Sequence, residues 1–329
     1  RGTCFIGGNL AENSGGPRAV KYGVTKDWVL DLEVVLPDGE VIHTGAKTLK
    51  NSTGYNLTQL MIGSEGTLGI ITEATLKLLP LPKQSLLMLA PFSLASEACE
   101  AVAGIFQAGV VPSALEFMEK DALILSQKFT GDYSIQIDQN TEAHLLIEVD
   151  GNDMDFMMNQ CQIILKVLED YNCEEVKFAD DHAQKEALWF LRRRVGEAVK
   201  AHSVYKEEDT VVPRFELPNL LSGVKEIGKK YGFQTVCYGH AGDGNLHVNI
   251  LKGDLSEEQW EVDLKEAITQ IFKLCVRLGG TLSGEHGIGY VQKEFMPLAF
   301  GKTELELMKG IKNTFDPLGI LNPGKIFPS

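Results

Sequence analysis

Residues 144–170, "HLLIEVDGNDMDFMMNQCQIILKVLED", set an apolar, strand-like run directly before an amphipathic helical pattern over 154–170. Sheet and helix therefore alternate within one segment, and the same alternation continues outward on both sides. Towards the N-terminus stand "SLLMLAPF" (85–92), a helix reaching about residue 107 and the strand "SALEFM" (113–118). Towards the C-terminus come "EEVKFA" (174–179), a long helix over 182–202, "DTVVP" (209–213) and a helix near 217–230. A hairpin in "YGHAGDGNLHVNI" (238–250) follows, then a helix from Ser256 to Leu278 whose Ser256 and Gln259 stand in capping-box register. Thr303 and Glu306 form a second such pair, opening a helix that stops at "DPLGILNPGK" (316–325). The pattern is that of an α+β fold, without internal sequence repeat or low-complexity stretch.

Residues 1–80 are different in style. They hold the glycine-dense stretches "IGGNLAENSGG" (6–16) and "GSEGTLGIIT" (63–72), separated by "WVLDLEVVLPDGEVI" (28–42), where "PDGE" marks a hairpin turn. "LLPLPK" (78–83) breaks regular structure twice and places a domain boundary there. The expected organisation is 1–80, 81–283 and 284–329. A chain of 329 residues has room for two lobes. The first residues, "RGTCFIGGN", read as the middle of a domain, so a segment upstream is expected to be missing.

Apolar content of 44% and charged content of 23% are those of a globular protein and exclude a disordered or fibrous chain. A net charge of −14 with no Lys/Arg run long enough to make a local basic patch argues against nucleic acid and anionic lipid as partners. No apolar run approaches the ~18 residues of a membrane span, and no signal-peptide layout opens the chain, so a cytoplasmic protein without a transmembrane segment is expected. Six scattered cysteines without a C-x-x-C pair read as reduced, mostly packed thiols.

With Asp243-Gly244 as a two-residue turn, His240 faces His247 and Tyr238 faces Asn249, all on one side of the ribbon. Two imidazoles so placed can share a metal ion, and "SGEHGIG" (283–289) offers Glu285 and His286 as further groups. Two imidazoles and a carboxylate suit a catalytic Zn, Mn or Fe ion with open positions. On spacing alone, surface or hydrogen-bonded histidines on an ordinary hairpin are the favoured reading. In "ALWFLRRRVGEAVKAH" (187–202) helical periodicity puts Ala187, Leu188, Leu191, Val195, Ala198 and Val199 on one stripe, Arg193 in solvent, and Arg192 and Arg194 at the two borders. A border guanidinium either snorkels or meets an anion such as a substrate carboxylate. "IGGNLAENSGG" departs from the G-x-G-x-x-G fingerprint, which disfavours a Rossmann NAD site; its backbone N–H groups still suit a pyrophosphate or flavin edge.

Five motifs, in order along the whole chain, carry a resemblance: "GTCFIGGNLAENSGG", "KNSTGYNLTQLMIGSEGTLGIITEATLKL", "GHAGDGNLHVN", "SGEHGIG" and "DPLGILNPGK". Together they resemble the FAD-linked D-2-hydroxy acid dehydrogenases (glycolate oxidase large subunit, D-lactate dehydrogenase, D-2-hydroxyglutarate dehydrogenase) of the vanillyl-alcohol oxidase superfamily. The resemblance implies the second part of a VAO/PCMH-type FAD-binding domain, then a ferredoxin-like α+β substrate domain, then a C-terminal segment returning to the flavin. It implies metal ligation by His240, His247 and Glu285, with His286 as catalytic base, Arg192 on the substrate carboxylate and Asn249 beside the substrate. Flavin contacts map onto Gly7, Gly8, Asn9, Asn13, Gly16, Gly63, Gly66, Thr67, Gly69, Ile70 and Asn322. The implied reaction oxidises a small D-2-hydroxy acid to the 2-oxo acid, with FAD and a divalent metal as cofactors. Implied partners are a quinone, an electron-transfer flavoprotein or an iron–sulfur subunit, and a homodimer is compatible.

Two departures matter. The first half of the family's FAD domain precedes the segment where this sequence begins. The dicarboxylate-binding Thr and Lys of D-2-hydroxyglutarate members match Gly196 and Glu207 here, with Lys206 one position away, which favours D-lactate or glycolate. Competing readings are a fragment that binds metal without flavin, and a flavin-free metallohydrolase using His240, His247 and Glu285.

Overall fold

The computed structural model describes residues 4–179 and 181–328. In chain order it opens with α1 (Ile6–Glu12) and α2 (Ala19–Tyr22), the hairpin β1 (Val29–Val35) and β2 (Val41–His43), α3 (Leu57–Met61) and β3 (Ile70–Leu76). Next come β4 (Gln84–Phe92), α4 (Ala95–Gln107), β5 (Ala114–Glu119), α5 (Lys120–Thr130), β6 (Ala143–Gly151), α6 (Met154–Asp170) and β7 (Lys177–Phe178). The chain continues through α7 (His182–His202), β8 (Tyr205–Val211), α8 (Leu217–Tyr231), β9 (Gln234–Gly239), β10 (Asn245–Leu251) and α9 (Glu257–Arg277), and closes with α10 (Met296–Ala299) and α11 (Lys302–Phe315). No helix among the described residues is long and apolar enough to cross a membrane.

Two compact units result. The first comprises Arg1–Gly16, Gly23–Leu81 and Leu282–Ser329; the second comprises Pro17–Tyr22 and Pro82–Thr281. The first unit holds an antiparallel sheet in the order β2-β1-β3. Leu10 of α1, Leu32 and Val34 of β1, Met61 of α3, Ile62 and Leu68 form its core, with Phe315 of α11 packed against it.

The second unit is built on a seven-stranded sheet in the order β7-β4-β6-β5-β9-β10-β8, antiparallel at every pairing. Strands β4, β5, β6 and β7 with helices α4 and α6 trace a β-α-β-β-α-β path and stand in the order fourth, first, third, second, which is the ferredoxin-like arrangement. The second half repeats it. Strands β8, β9 and β10 with α8 and α9 follow the same path, and Thr281 bridges Val211 where the fourth strand belongs. The two halves join edge to edge at β5 and β9, where Phe117 pairs with Gly239 and Met118 with Tyr238. The repeat is one of topology, which explains why the sequence shows none.

Both faces of this sheet are covered. Alternation along the strands sends Leu87, Leu89, Ala114, Met118, Leu146, Val236 and Tyr238 to a core shared with Leu123 of α5 and Trp189, Val195 and Val199 of α7. The intervening residues, among them Met88, Phe117, Leu145, Ile147 and Val248, are buried as well.

Several expectations need correction. The hairpin of 238–250 has no two-residue turn. Ala241–Asp243 forms a 3-10 turn and Gly244 is left-handed, so the pairing slips by two residues and His247 faces Tyr238 while Asn249 faces Val236. Backbone N–H groups of Asp243 and Asn245 both donate to the His240 carbonyl, which stabilises the longer loop. A slip of two preserves the face, so His240, His247, Tyr238 and Asn249 still share one side. The strand read in "EEVKFA" shrinks to Lys177–Phe178, whereas "DTVVP" belongs to a strand that starts earlier, at Tyr205. Thr303 is no cap: Gly301 occupies that position and Lys302 begins the helix. The capping box at Ser256 and Gln259 is formed. Helix α5 follows β5 without a Gly or Pro between them, so no break in the sequence marks its start.

Candidate metal and substrate site

At one end of the face covered by α5 and α7 the apolar core gives way to a buried polar cluster. Glu116 on β5 points inward at the position two before Met118, is 1% exposed, and receives Nδ1 of His240 at 2.8 and 2.9 Å. An ionised carboxylate only accepts, so it is Nδ1 that carries the proton in this contact. Burial alone would push the Glu116 carboxyl up. The His240 imidazole and the Arg192 guanidinium overcome that and hold it below the usual carboxylate range.

His247, on β10, stands with its ring centroid 5.6 Å from that of His240 at an interplanar angle of 82°. Its Nδ1 lies 3.4 Å from Glu207 Oε1 and 3.7 Å from Asp209 Oδ1, both on the neighbouring strand β8. Asp209 is itself held by Asn245 Nδ2 at 2.7 Å. His240 is therefore backed by a hydrogen-bonded acid, an arrangement that makes imidazole a better metal donor, whereas Nδ1 of His247 stands beside two acids without a hydrogen bond to either.

Arg192 projects from α7, which starts at the N-cap Asp181 accepting from the Gln184 backbone. Its guanidinium stacks over the Tyr238 ring at 5.1 Å, and Nη2 approaches Glu116 Oε2 to 2.6 Å. That approach brings the charges together at an angle unsuited to a hydrogen bond, and neither Nε nor Nη2 has a hydrogen-bond partner among the described residues. Asn249, fully buried, donates from Nδ2 to the Val236 carbonyl at 3.3 Å and leaves Oδ1 unpartnered. Buried guanidinium donors from α7 without hydrogen bonds and an unpartnered amide oxygen on β10 are suited to an anionic, hydroxyl-bearing ligand. Arg194, the other border arginine, pairs in solvent with Glu197. Tyr238 has its phenol pushed up by burial and then by Glu207. Next to the cluster, Glu148 accepts from Trp189 Nε1 and Arg18 Nη2, each at 2.8 Å.

In the first unit the two glycine-dense stretches meet. Gly7, Gly8 and Asn9 lie in the first turns of α1, and a side chain built on either glycine would meet nothing within 4 Å. Asn13 closes α1 in the left-handed region, and Gly16 also has positive φ. Gly63 donates to the Leu10 carbonyl and Glu65 to that of Ala11, each at 2.9 Å, which docks 63–70 on α1. Gly66 has φ +68, Thr67 is buried, and Ile70 is exposed on β3. Gly69 packs so closely on Val34 that a Cβ would stand 2.3 Å from it. Asn322 donates to the Glu65 carbonyl. Open backbone around Gly7, Gly8 and Gly16 fits a cofactor edge.

The "SGEHGIG" loop belongs to this unit too. Glu65 accepts from the backbone N–H of Ile288 at 2.8 Å and Gly289 at 2.7 Å, and Ser283 accepts from Gly287. His286 is half exposed, with Nε2 4.0 Å from Glu285 Oε1. Nearby Glu12 has its carboxyl raised to about 7 by burial and by Glu65, partly offset by His286. Sequence reasoning missed Glu65 and Glu116. The signal for Glu116 was present: an acid on the inward alternation of an otherwise apolar strand must find a partner.

Comparison with known proteins gives this geometry a family. Residues 81–326 match the family of FAD linked oxidases, C-terminal domain, and residues 1–45 match an FAD binding domain. The D-lactate dehydrogenase of Anaerostipes hadrus is 39% identical over 326 residues, 98% of this chain and 68% of its own length. The glycolate oxidase subunit GlcD of Bacillus subtilis is 38% identical over 329 residues, with the same shares. The crystal structure of p-cresol methylhydroxylase with substrate bound superposes with a TM-score of 0.72 at 14% identity, over 98% of this chain and 68% of that one. The chain belongs to the FAD-linked oxidases, a family of FAD-dependent oxidoreductases, and spans about two thirds of these relatives.

Proposed function

We propose that the protein oxidises a small D-2-hydroxy acid, D-lactate or glycolate before D-2-hydroxyglutarate, to the 2-oxo acid with FAD and a divalent metal (Zn, Mn or Fe). The observation that carries this reading is the buried cluster of the second unit, in which the imidazoles of His240, hydrogen-bonded to Glu116, and His247, beside Glu207, share a face with the Arg192 guanidinium, paired with Glu116 by charge but with Nε and Nη2 not hydrogen-bonded. Similarity to a D-lactate dehydrogenase and a glycolate oxidase subunit supports it.

In this reading His240 and His247 hold the metal together with Glu285, whose part rests on the family resemblance. When bound, FAD supplies the hydride acceptor and the ion supplies a Lewis acid for the hydroxyl. Arg192 clamps the substrate carboxylate, Asn249 Oδ1 is available to orient the substrate, and His286 takes the hydroxyl proton as general base. Gly7, Gly8, Asn9, Asn13, Gly16, Gly63, Gly66, Thr67, Gly69, Ile70 and Asn322 surround the flavin. Gly196 and Glu207, lacking the cation and hydroxyl that a second carboxylate wants, favour a monocarboxylate. Residues 1–80 and 284–329 serve the flavin and 81–283 the substrate. A cytoplasmic site of action, electron delivery to an electron-transfer flavoprotein or iron–sulfur subunit, and a homodimer complete the proposal.

The test is dye-linked oxidation of a panel of D- and L-2-hydroxy acids by the full-length polypeptide, with and without a chelator. D-specific turnover that the chelator abolishes is expected. Turnover indifferent to the chelator removes the metal from the reaction, and a colourless protein that binds metal and oxidises nothing favours a scaffold instead.

A further inference from the structure

One buried carboxylate serves two masters in the second unit. Glu116 receives Nδ1 of His240 on both oxygens, at 2.8 and 2.9 Å, while its Oε2 also stands 2.6 Å from Arg192 Nη2. Its side chain is 1% exposed and that of Arg192 8%, so solvent screens neither attraction. A carboxylate that accepts the Nδ1 proton makes Nε2 a stronger donor towards a cation. A guanidinium drawing on the same carboxylate takes part of that effect away. Nη2 meets Glu116 at an angle unsuited to hydrogen bonding, and Nε has no partner among the described residues, so the guanidinium is held by charge and keeps hydrogen-bonding capacity for a second anion.

We propose that Glu116 is a positioning residue that couples metal binding at His240 to carboxylate binding at Arg192. With Arg192 unoccupied, Glu116 is shared and the ion is held less firmly. A substrate carboxylate engaging Arg192 returns the charge of Glu116 to His240 and tightens the ion. Because the coupling is a free energy, it is reciprocal: an ion on His240 draws on Glu116 and leaves Arg192 readier for an anion. The inference rests on the metal reading of His240 and His247 and adds to it the link with Arg192.

The experiment measures zinc affinity of the full-length protein by chelator competition, without substrate, in a double-mutant cycle. Glu116→Gln keeps the shape and an acceptor for the Nδ1 proton but removes the charge, and should weaken zinc binding by about 10- to 100-fold. Arg192→Met removes the competing cation and should tighten it, on the order of three- to tenfold, less than the carboxylate itself is worth. In the double variant the Arg192→Met gain should vanish, leaving the affinity of Glu116→Gln within about twofold. Wild-type affinity in Glu116→Gln, or an Arg192→Met effect of equal size with and without Glu116, overturns the coupling. Should Glu116→Gln fail to fold, Glu116→Asp keeps the charge with a reach too short for both partners. The Arg192→Met gain should be lost in that background as well, and its full persistence overturns the proposal. His240→Ala separates the two readings: unchanged zinc affinity there overturns the metal assignment itself, whereas lost affinity with an additive cycle overturns only the coupling.

Discussion

At the scale of single residues, burial decides which polar groups act and which only cost stability. Arg192→Lys replaces a planar fork by a point charge and should raise KM for the 2-hydroxy acid by about 10- to 100-fold, with zinc affinity kept within a few-fold. Steady-state kinetics beside chelator competition check it; an unchanged KM assigns the carboxylate to another cation. His144, on β6, is a buried histidine outside the cluster, and its Nδ1 has no hydrogen-bond partner among the described residues. Burial, with Lys177 and Lys120 adding, lowers its pKa from 6.5 to about 4. Between those values the unfolded chain binds a proton that the folded one refuses, so stability falls as the pH drops from 6.5 to 4 and the loss is complete below. The loss amounts to about 3 kcal/mol, and urea melts of His144→Gln across that window should show a correspondingly flatter profile. Equal slopes in the two proteins would mean that His144 is hydrated. Periodicity brought Arg192 and Arg194 to the same rank, because two borders of one stripe are equivalent until a sheet packs on the helix. Glu116 was legible as an inward acid but not as a partner of His240, since nothing local connects residues 116 and 240.

Elements follow their own signals where these are local. The α6 and α7 boundaries agree with the helical pattern to the residue, 154–170 and 182–202, because Asp153 and Asp181 cap them with side-chain oxygens. Ser256→Ala should cost about 1 kcal/mol, whereas Thr303→Ala, exposed and capping nothing, should stay within about 0.5 kcal/mol. Denaturant melts of the two variants compare a formed capping box with one present only as a pattern. The hairpin was misread for a physical reason: Asp-Gly ordinarily makes a two-residue turn, but here it closes a 3-10 turn. Gly244, at φ +76, stands so near β8 that a Cβ would lie 1.9 Å from the Val212 carbonyl. Gly244→Ala should therefore destabilise by more than the roughly 1–3 kcal/mol of backbone strain alone and loosen zinc at His240 and His247 together. Wild-type melting and zinc affinity in this variant would show that the loop does not set the histidine pair.

For the molecule as a whole, alternation of strand and helix was enough for the α+β class, but strand order lies beyond it. Which strands become neighbours depends on long-range pairing, and the two ferredoxin-like halves share topology without shared residues, so no sequence period betrays them. The glycine-rich stretches proposed to hold the flavin rest on family resemblance, and Glu65, which ties them to the "SGEHGIG" loop, shows itself only through its backbone contacts. The central claim, a cation held by His240, His247 and Glu285, is tested most directly by anomalous X-ray scattering from crystals of the full-length protein grown with zinc or manganese. The account predicts one strong peak within about 2.0–2.2 Å of an imidazole nitrogen of each histidine and a carboxylate oxygen of Glu285. A peak elsewhere, or none at those three side chains while the metal is demonstrably bound, would contradict it.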